Sequence, residues 1–250
     1  MWRRFVHPSP TATNRMQSPF RFSIFPDHAG KCAKSLVPLA GLAMVLSCHS
    51  VFAEEVAAPA NSASVIDFKE QAASAEVRQV ANWVIESRDN RRMPFVIIDK
   101  VNAKVFVFDA HGQLQGADAA LLGMTRGDHT PAGIGSKKMS AIPPQDRTTP
   151  AGRFLVSLDR DIHGKEVLLI DYDASIALHP VAKGTPAERR AQRLESATSD
   201  DNRISFGCIN VPARFYETII SPTFTKSTGL VYILPEKSKA SEMFGSGIRK

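Results

Sequence analysis

Cys208 is the residue around which chemistry can be built. It lies in Arg203-Ile204-Ser205-Phe206-Gly207-Cys208-Ile209-Asn210-Val211-Pro212, where the small residues Ser205 and Gly207 leave room for backbone N–H groups and an incoming carbonyl to approach the sulfur. A thiol is mostly protonated at neutral pH, so acyl transfer at Cys208 calls for a base within hydrogen-bond reach. Past residue 53 the chain has four histidines, His111, His129, His163 and His179. His111 and His163 sit in turn sequences and His129 in a Gly- and Pro-rich loop. His179 ends an apolar run and precedes Pro180, which fixes the backbone and aims the ring, so it is the expected base. The competing reading makes Cys208 a buried small hydrophobe. The histidines show no paired metal-ligand spacing, and a lone cysteine makes no zinc signature. No phosphate-binding glycine loop is present, so neither metal nor cofactor is expected.

The compartment bears on the choice. Residues 1–53 read as a leader with an export signal: Lys31 and Lys34 supply a basic region, 36–46 an apolar one, and Val51-Phe52-Ala53 a small-residue cleavage site. Translation from Met16 is an alternative start, and Arg3-Arg4 lies too far from the apolar run for a twin-arginine signal. Val45-Leu46-Ser47-Cys48 offers a second outcome, a membrane tether if Cys48 is lipidated. Cleavage after Ala53 removes Cys32 and Cys48 and leaves Cys208 alone. An unpaired thiol in an oxidising periplasm or cell envelope is open to oxidation, which favours a nucleophile over filler. The formal charge of +6 divides into +5 for the leader and +1 for the rest, so no basic footprint for nucleic acid remains.

The elements that must position Cys208 follow from pattern. Residues 54–64, rich in Ala with Pro59, read as a linker. Apolar residues at helical spacing from Val65 predict an N-terminal amphipathic helix over 65–92. Short β-rich runs then begin at 95–99 and 104–108, most simply an antiparallel meander, and continue at 121–124, 153–158, 167–172, 175–179 and 229–234. Between Gly127 and Gly152 the Gly and Pro content predicts a long surface loop near the site. Thr185 as N-cap and Pro186 at the first position predict a helix over 185–195 with Ala187, Ala191 and Leu194 on one face. That helix is read either as a lid, with Arg189, Arg190 or Arg193 meeting an anionic substrate, or as a solvated surface helix. A second helix runs from Pro212 to about residue 220, its N-terminus a candidate for lowering the thiol pKa. Residues 93–236 form the catalytic domain and 237–250 a flexible tail.

The residues His179, Ser205, Gly207, Cys208 and Asn210, with Thr149-Pro150-Ala151-Gly152-Arg153-Phe154 as a strand entry, resemble the signature of the L,D-transpeptidase catalytic domain (YkuD type) of bacterial cell-wall enzymes. The resemblance covers about 94–235. Two features depart from it: Phe206 stands where the family usually has a second histidine, and 25 residues separate His179 from Ser205, a longer spacer than usual. The resemblance implies a fold that is mainly β with peripheral helices (α+β), a mixed β-sandwich. It implies Cys208 as nucleophile, His179 as base, and N–H groups near Gly207 and Cys208 as oxyanion hole, with Ser205 and Asn210 shaping the site. The implied reaction is acyl transfer on peptidoglycan stem peptides through a Cys208 thioester, in cell-wall biogenesis and cell shape. Arg153 and Arg203 are candidates to hold substrate carboxylates, or else surface charges. The alternatives are an L,D-carboxypeptidase, another cysteine peptidase of the wall, or a non-catalytic wall-binding relic.

Overall fold

The computed structural model describes residues 66–245, 247 and 248; the leader with its export signal and Cys48, the 54–64 linker and Val65 lie outside the described residues. Helix α1 (Ala75–Glu86) begins where Ser74 Oγ accepts the Val77 N–H and caps the first turn. Its buried Val77, Val80, Ala81 and Val84 recur at one-face spacing. The helix is shorter than the 65–92 expected. Asp67 Oδ1 takes the Lys69 N–H in a local turn before it, and Arg88, Arg91 and Arg92 adopt positive φ after it, a conformation that a right-handed helix cannot continue through.

Ten strands follow among the described residues: β1 (Phe95–Asp99), β2 (Lys104–Phe108), β3 (Leu114–Ala119), β4 (Leu122–Gly123), β5 (Gly152–Arg160), β6 (Glu166–Asp171), β7 (Ile176–Pro180), β8 (Arg203–Ser205), β9 (Ile209–Val211) and β10 (Gly229–Ile233). Eight make one sheet in the order β3-β2-β1-β10-β5-β6-β7-β9, while β4 pairs with β8. The expected antiparallel meander holds within β1–β3 and β5–β7; β1 runs parallel to β10, and β7 to β9. Leu121, just past β3, exchanges backbone hydrogen bonds of 2.8 and 2.9 Å with Asn210 on β9, which draws the two ends of the sheet together. The architecture is mainly β with peripheral helices, but as one sheet curled almost into a barrel, not two facing sheets.

β1, β2 and β10 read as continuous apolar runs because both their faces are buried. Phe95, Ile97, Phe108 and Tyr232 meet α1 on one face, and Val96, Ile98, Val107 and Val231 join Leu178 and Ile209 on the other. In the insert after β7, the turn Pro186–Glu188 and α2 (Arg190–Leu194) are separated by Arg189 at φ 46° and ψ 43°. That left-handed residue breaks the single amphipathic helix expected over 185–195: Leu194 is buried, whereas Ala187 and Ala191 are exposed. After β9 a helical segment runs from α3 (Ala213–Phe215) through a π turn at Tyr216–Ile220 into α4 (Ser221–Phe224). It seals the inner core with Phe215, Ile220 and Phe224. The expected flexible tail carries α5 (Ala240–Phe244), whose Ala240 N–H donates to Glu76 Oε1 at 2.9 Å while Phe244 stacks on Trp83.

Candidate active site

Cys208 lies in the tight connection from β8 to β9, and two side-chain oxygens and one glycine shape that connection. Ser205 Oγ donates to the Cys208 carbonyl at 2.6 Å and accepts the Gly207 N–H at 3.1 Å. Thr149 Oγ1, fully buried, donates to the Gly207 carbonyl and accepts the Gly123 N–H, both at 2.8 Å. Gly207 has φ 131°, and a Cβ there would fall 2.7 Å from Ile176 Cδ1 and 2.9 Å from the Thr148 carbonyl oxygen, so only glycine fits. Gly207, expected to offer its N–H to an oxyanion, has that N–H engaged by Ser205 instead.

The neighbouring strands β7 and β9 set His179 and Cys208 into one region of the sheet. Their parallel register pairs His179 with Asn210, and Cys208 immediately precedes β9. The sulfur is 3.6 Å from the Ser175 carbonyl oxygen. Burial pushes the thiol pKa up, against the opposing pull of the Ala177 N–H, although Cys208 keeps part of its surface exposed. The Pro212 helix start, a sequence candidate for lowering this pKa, is separated from the thiol by β9.

His179 is 8% exposed. Its Nδ1 lies 2.8 Å from the Pro180 carbonyl oxygen, an acceptor only, so Nδ1 carries the proton and Nε2 is the unprotonated ring nitrogen. Burial pulls the imidazole pKa down, and the Arg190 charge adds to this against the Pro180 carbonyl. The resting pair is a neutral imidazole and a protonated thiol. Asn210, also buried, bridges the imidazole and the Cys208 backbone: its Nδ2 is 3.3 Å from the Cys208 carbonyl oxygen and 3.5 Å from His179 Nε2. Its Oδ1 accepts from Arg190 Nη1 at 2.9 Å, which fixes the orientation of the amide. A cleft of 690 Å³ reaches His179 from the β5–β6 turn, past His163, Lys165 and Glu217.

The other sequence candidates sit elsewhere. Arg203 pairs with Glu236 Oε2 at 2.7 Å and donates to the Lys100 carbonyl, inside a buried group that includes Lys100 and Asp128. Arg153 pairs with Asp89 at 2.6 Å near the end of α1. Both guanidinium groups are committed to these carboxylates, whereas Arg190 reaches Asn210. Phe206 stacks under Arg147, whose guanidinium carbon is 3.9 Å from the ring centroid. Thr149 had a sequence signal, the strand entry it opens, but its hydroxyl role shows only in three dimensions. Among the described residues no group of His, Cys, Asp and Glu side chains could hold a metal ion, and no helix is long and apolar enough to cross a membrane.

No family model and no curated protein matches the chain. Among solved structures, the L,D-transpeptidase LdtMt1 in complex with imipenem is similar at 14% identity and a TM-score of 0.34, over 56% of this chain and 58% of that one. The catalytic domain of the E. faecium L,D-transpeptidase is similar at 15% identity and 0.31, over 57% and 98%. The helical cell shape determining protein Pgp2 from Campylobacter jejuni is similar at 13% identity and 0.38, over 59% and 49%. The chain thus spans little more than half of the first of these proteins and about half of the third. These are distant likenesses of fold.

Proposed function

We propose that this chain is an exported cysteine acyltransferase of the L,D-transpeptidase kind, acting on peptidoglycan stem peptides. The observation that carries the reading is that His179, with Nδ1 on the Pro180 carbonyl, and the Cys208 backbone share Asn210, whose Nδ2 lies 3.5 Å from His179 Nε2 and 3.3 Å from the Cys208 carbonyl oxygen. His179 Nε2 takes the thiol proton, and the Cys208 sulfur adds to the carbonyl carbon of the third stem residue. The resulting imidazolium gives its proton to the departing nitrogen of the terminal D-alanine as the C–N bond breaks, leaving a Cys208 thioester. An amine of a second stem attacks that thioester and forms the cross-link; water in its place gives the L,D-carboxypeptidase outcome. Because the thiol pKa is raised, ionisation has to be coupled to proton transfer, which makes the base essential.

Incubation with a carbapenem tests the reading. A covalent mass increase on the wild type, absent from a folded Cys208→Ser variant that also releases no D-alanine from a tetrapeptide stem, is the expected result. Tetrapeptide processing by Cys208→Ser would remove the assignment. The specific observation behind a second reading, a non-catalytic wall-binding protein, is Phe206 held under Arg147 in place of a second histidine. It predicts stem binding with no adduct.

A further inference from the structure

Between β7 and β8 the chain builds a receptor for a carboxylate and fills it with one of its own. Glu188 Oε2 accepts from Arg190 Nε at 2.7 Å and from the Thr185 N–H at 3.2 Å. The space exists because residue 184 is glycine: a Cβ there would lie 2.0 Å from Glu188 Oε2 and 2.7 Å from Arg190 Nε. Gly184 and Arg189 both take positive φ, so the backbone bends on each side of the turn to face Glu188 and Arg190 toward each other. Arg193 ties the turn down by donating to the Glu188 carbonyl at 2.7 Å. The opposite end of the Arg190 guanidinium, Nη1, donates to Asn210 Oδ1, which places the receptor two hydrogen bonds from the Cys208 carbonyl. Glu188 is the more exposed of the pair, with side-chain exposure of 28% against 12% for Arg190, so it is the partner that can leave.

We propose that Arg190 Nε and the Thr185 N–H bind the free C-terminal carboxylate of the acyl donor, and that Glu188 occupies this receptor until a donor displaces it. The inference rests on the acyltransferase reading and deepens it. The group expelled from the thioester-forming step is a C-terminal amino acid, and its carboxylate is the one charge that every such donor brings. Arg190 therefore determines specificity for a chain end over an internal peptide bond, while its contact with Asn210 links an occupied receptor to the site where the thiol reacts.

The test compares two donors, a tetrapeptide stem ending in a D-alanine carboxylate and the same peptide as its C-terminal amide, with wild type, Arg190→Gln and Glu188→Gln. Loss of one charge-assisted hydrogen-bonding site corresponds to about 10–100-fold in kcat/KM, so the wild type should prefer the carboxylate by that factor. Arg190→Gln should abolish the preference by losing the acid donor selectively. Glu188→Gln should lower KM for the acid alone, because the internal competitor is weakened. If Arg190→Gln melts early, Arg190→Lys, which keeps the charge and loses the fork, should show a reduced preference. Equal turnover of both donors by the wild type overturns the receptor and leaves the acyltransferase reading standing, as does an equal loss on both donors in Arg190→Gln. No turnover of either donor by a wild type whose Cys208 thiol reacts with iodoacetamide removes the acyltransferase reading and the receptor with it.

Discussion

Replacing Thr149 with valine conserves shape and deletes one hydroxyl, and the structure assigns that hydroxyl two jobs. Oγ1 donates to the Gly207 carbonyl and accepts the Gly123 N–H, each at 2.8 Å, with the residue fully buried. Valine leaves a buried acceptor and a buried donor without partners, each costing about 1–3 kcal/mol. Coupling between the two makes about 3 kcal/mol the working figure, roughly a 6–12 °C drop in Tm for a body of this size. Serine keeps the oxygen and loses one methyl, so it should cost about 1 kcal/mol. Urea denaturation of the two variants beside wild type reads the difference. The Gly207–Cys208 turn also loses its anchor, so Thr149→Val should change the rate at which iodoacetamide labels Cys208 under native conditions, and Thr149→Ser should not. A Thr149→Val protein within about 1 kcal/mol of wild type, or a Thr149→Ser protein as unstable as Thr149→Val, would refute the double role.

His179→Gln should lower stem-peptide turnover by about 10²–10⁴ while the fold persists; a larger loss in His163→Gln, which lines the same cleft, would move the base to His163. In the pH profile of kcat/KM the acid limb should fall below 6.5, the ordinary histidine value, because burial pulls His179 down, and the alkaline limb should lie above 9.0, because burial pushes Cys208 up. The same His179 shift makes the unfolded state bind more protons just below 6.5. Its contribution to stability is therefore complete above that pH and lost as the pH falls through the lower folded value, which urea titrations at a series of pH values measure. Asp128 is pushed up by burial, yet the N–H groups of Glu236 and Lys237 and the Lys100 ammonium hold its pKa at about 2. Asp128→Asn leaves Lys100 buried beside a weakened partner set and should destabilise the body by about 3 kcal/mol in urea, with little effect at pH values low enough to protonate Asp128 in the wild type.

The apolar runs of β1, β2, β6 and β10 were legible because burial selects apolar residues along a strand whatever its neighbours are. Gly207 was legible as a close approach, and His179 as a ring aimed by Pro180. The start of α1 depended on one local hydrogen bond, Ser74 to Val77, that outweighed a helical pattern continuing upstream. The parallel pairing of β7 with β9 depends on a crossover through the whole insert, so no local pattern encodes it. Arginines show the limit most clearly. Arg153, Arg203 and Arg190 are alike in sequence, and what separates them is which carboxylate each meets after folding: Asp89 for the first, Glu236 for the second, and Glu188 for the third. Asp89 is close to the end of α1 and Glu236 follows β10, so both are fixed by the sheet. Glu188 is two residues from Arg190 and held by a capping box in a segment that leaves His179 and returns to Cys208. Of the three pairs, only that one is anchored to the site at both ends of its segment and also partly open to solvent. An insertion at that point in the chain thereby acquires a route to His179 and Cys208 that a charge elsewhere on the surface lacks, since any movement of Arg190 is felt at Asn210 and through it at both the imidazole nitrogen and the Cys208 carbonyl.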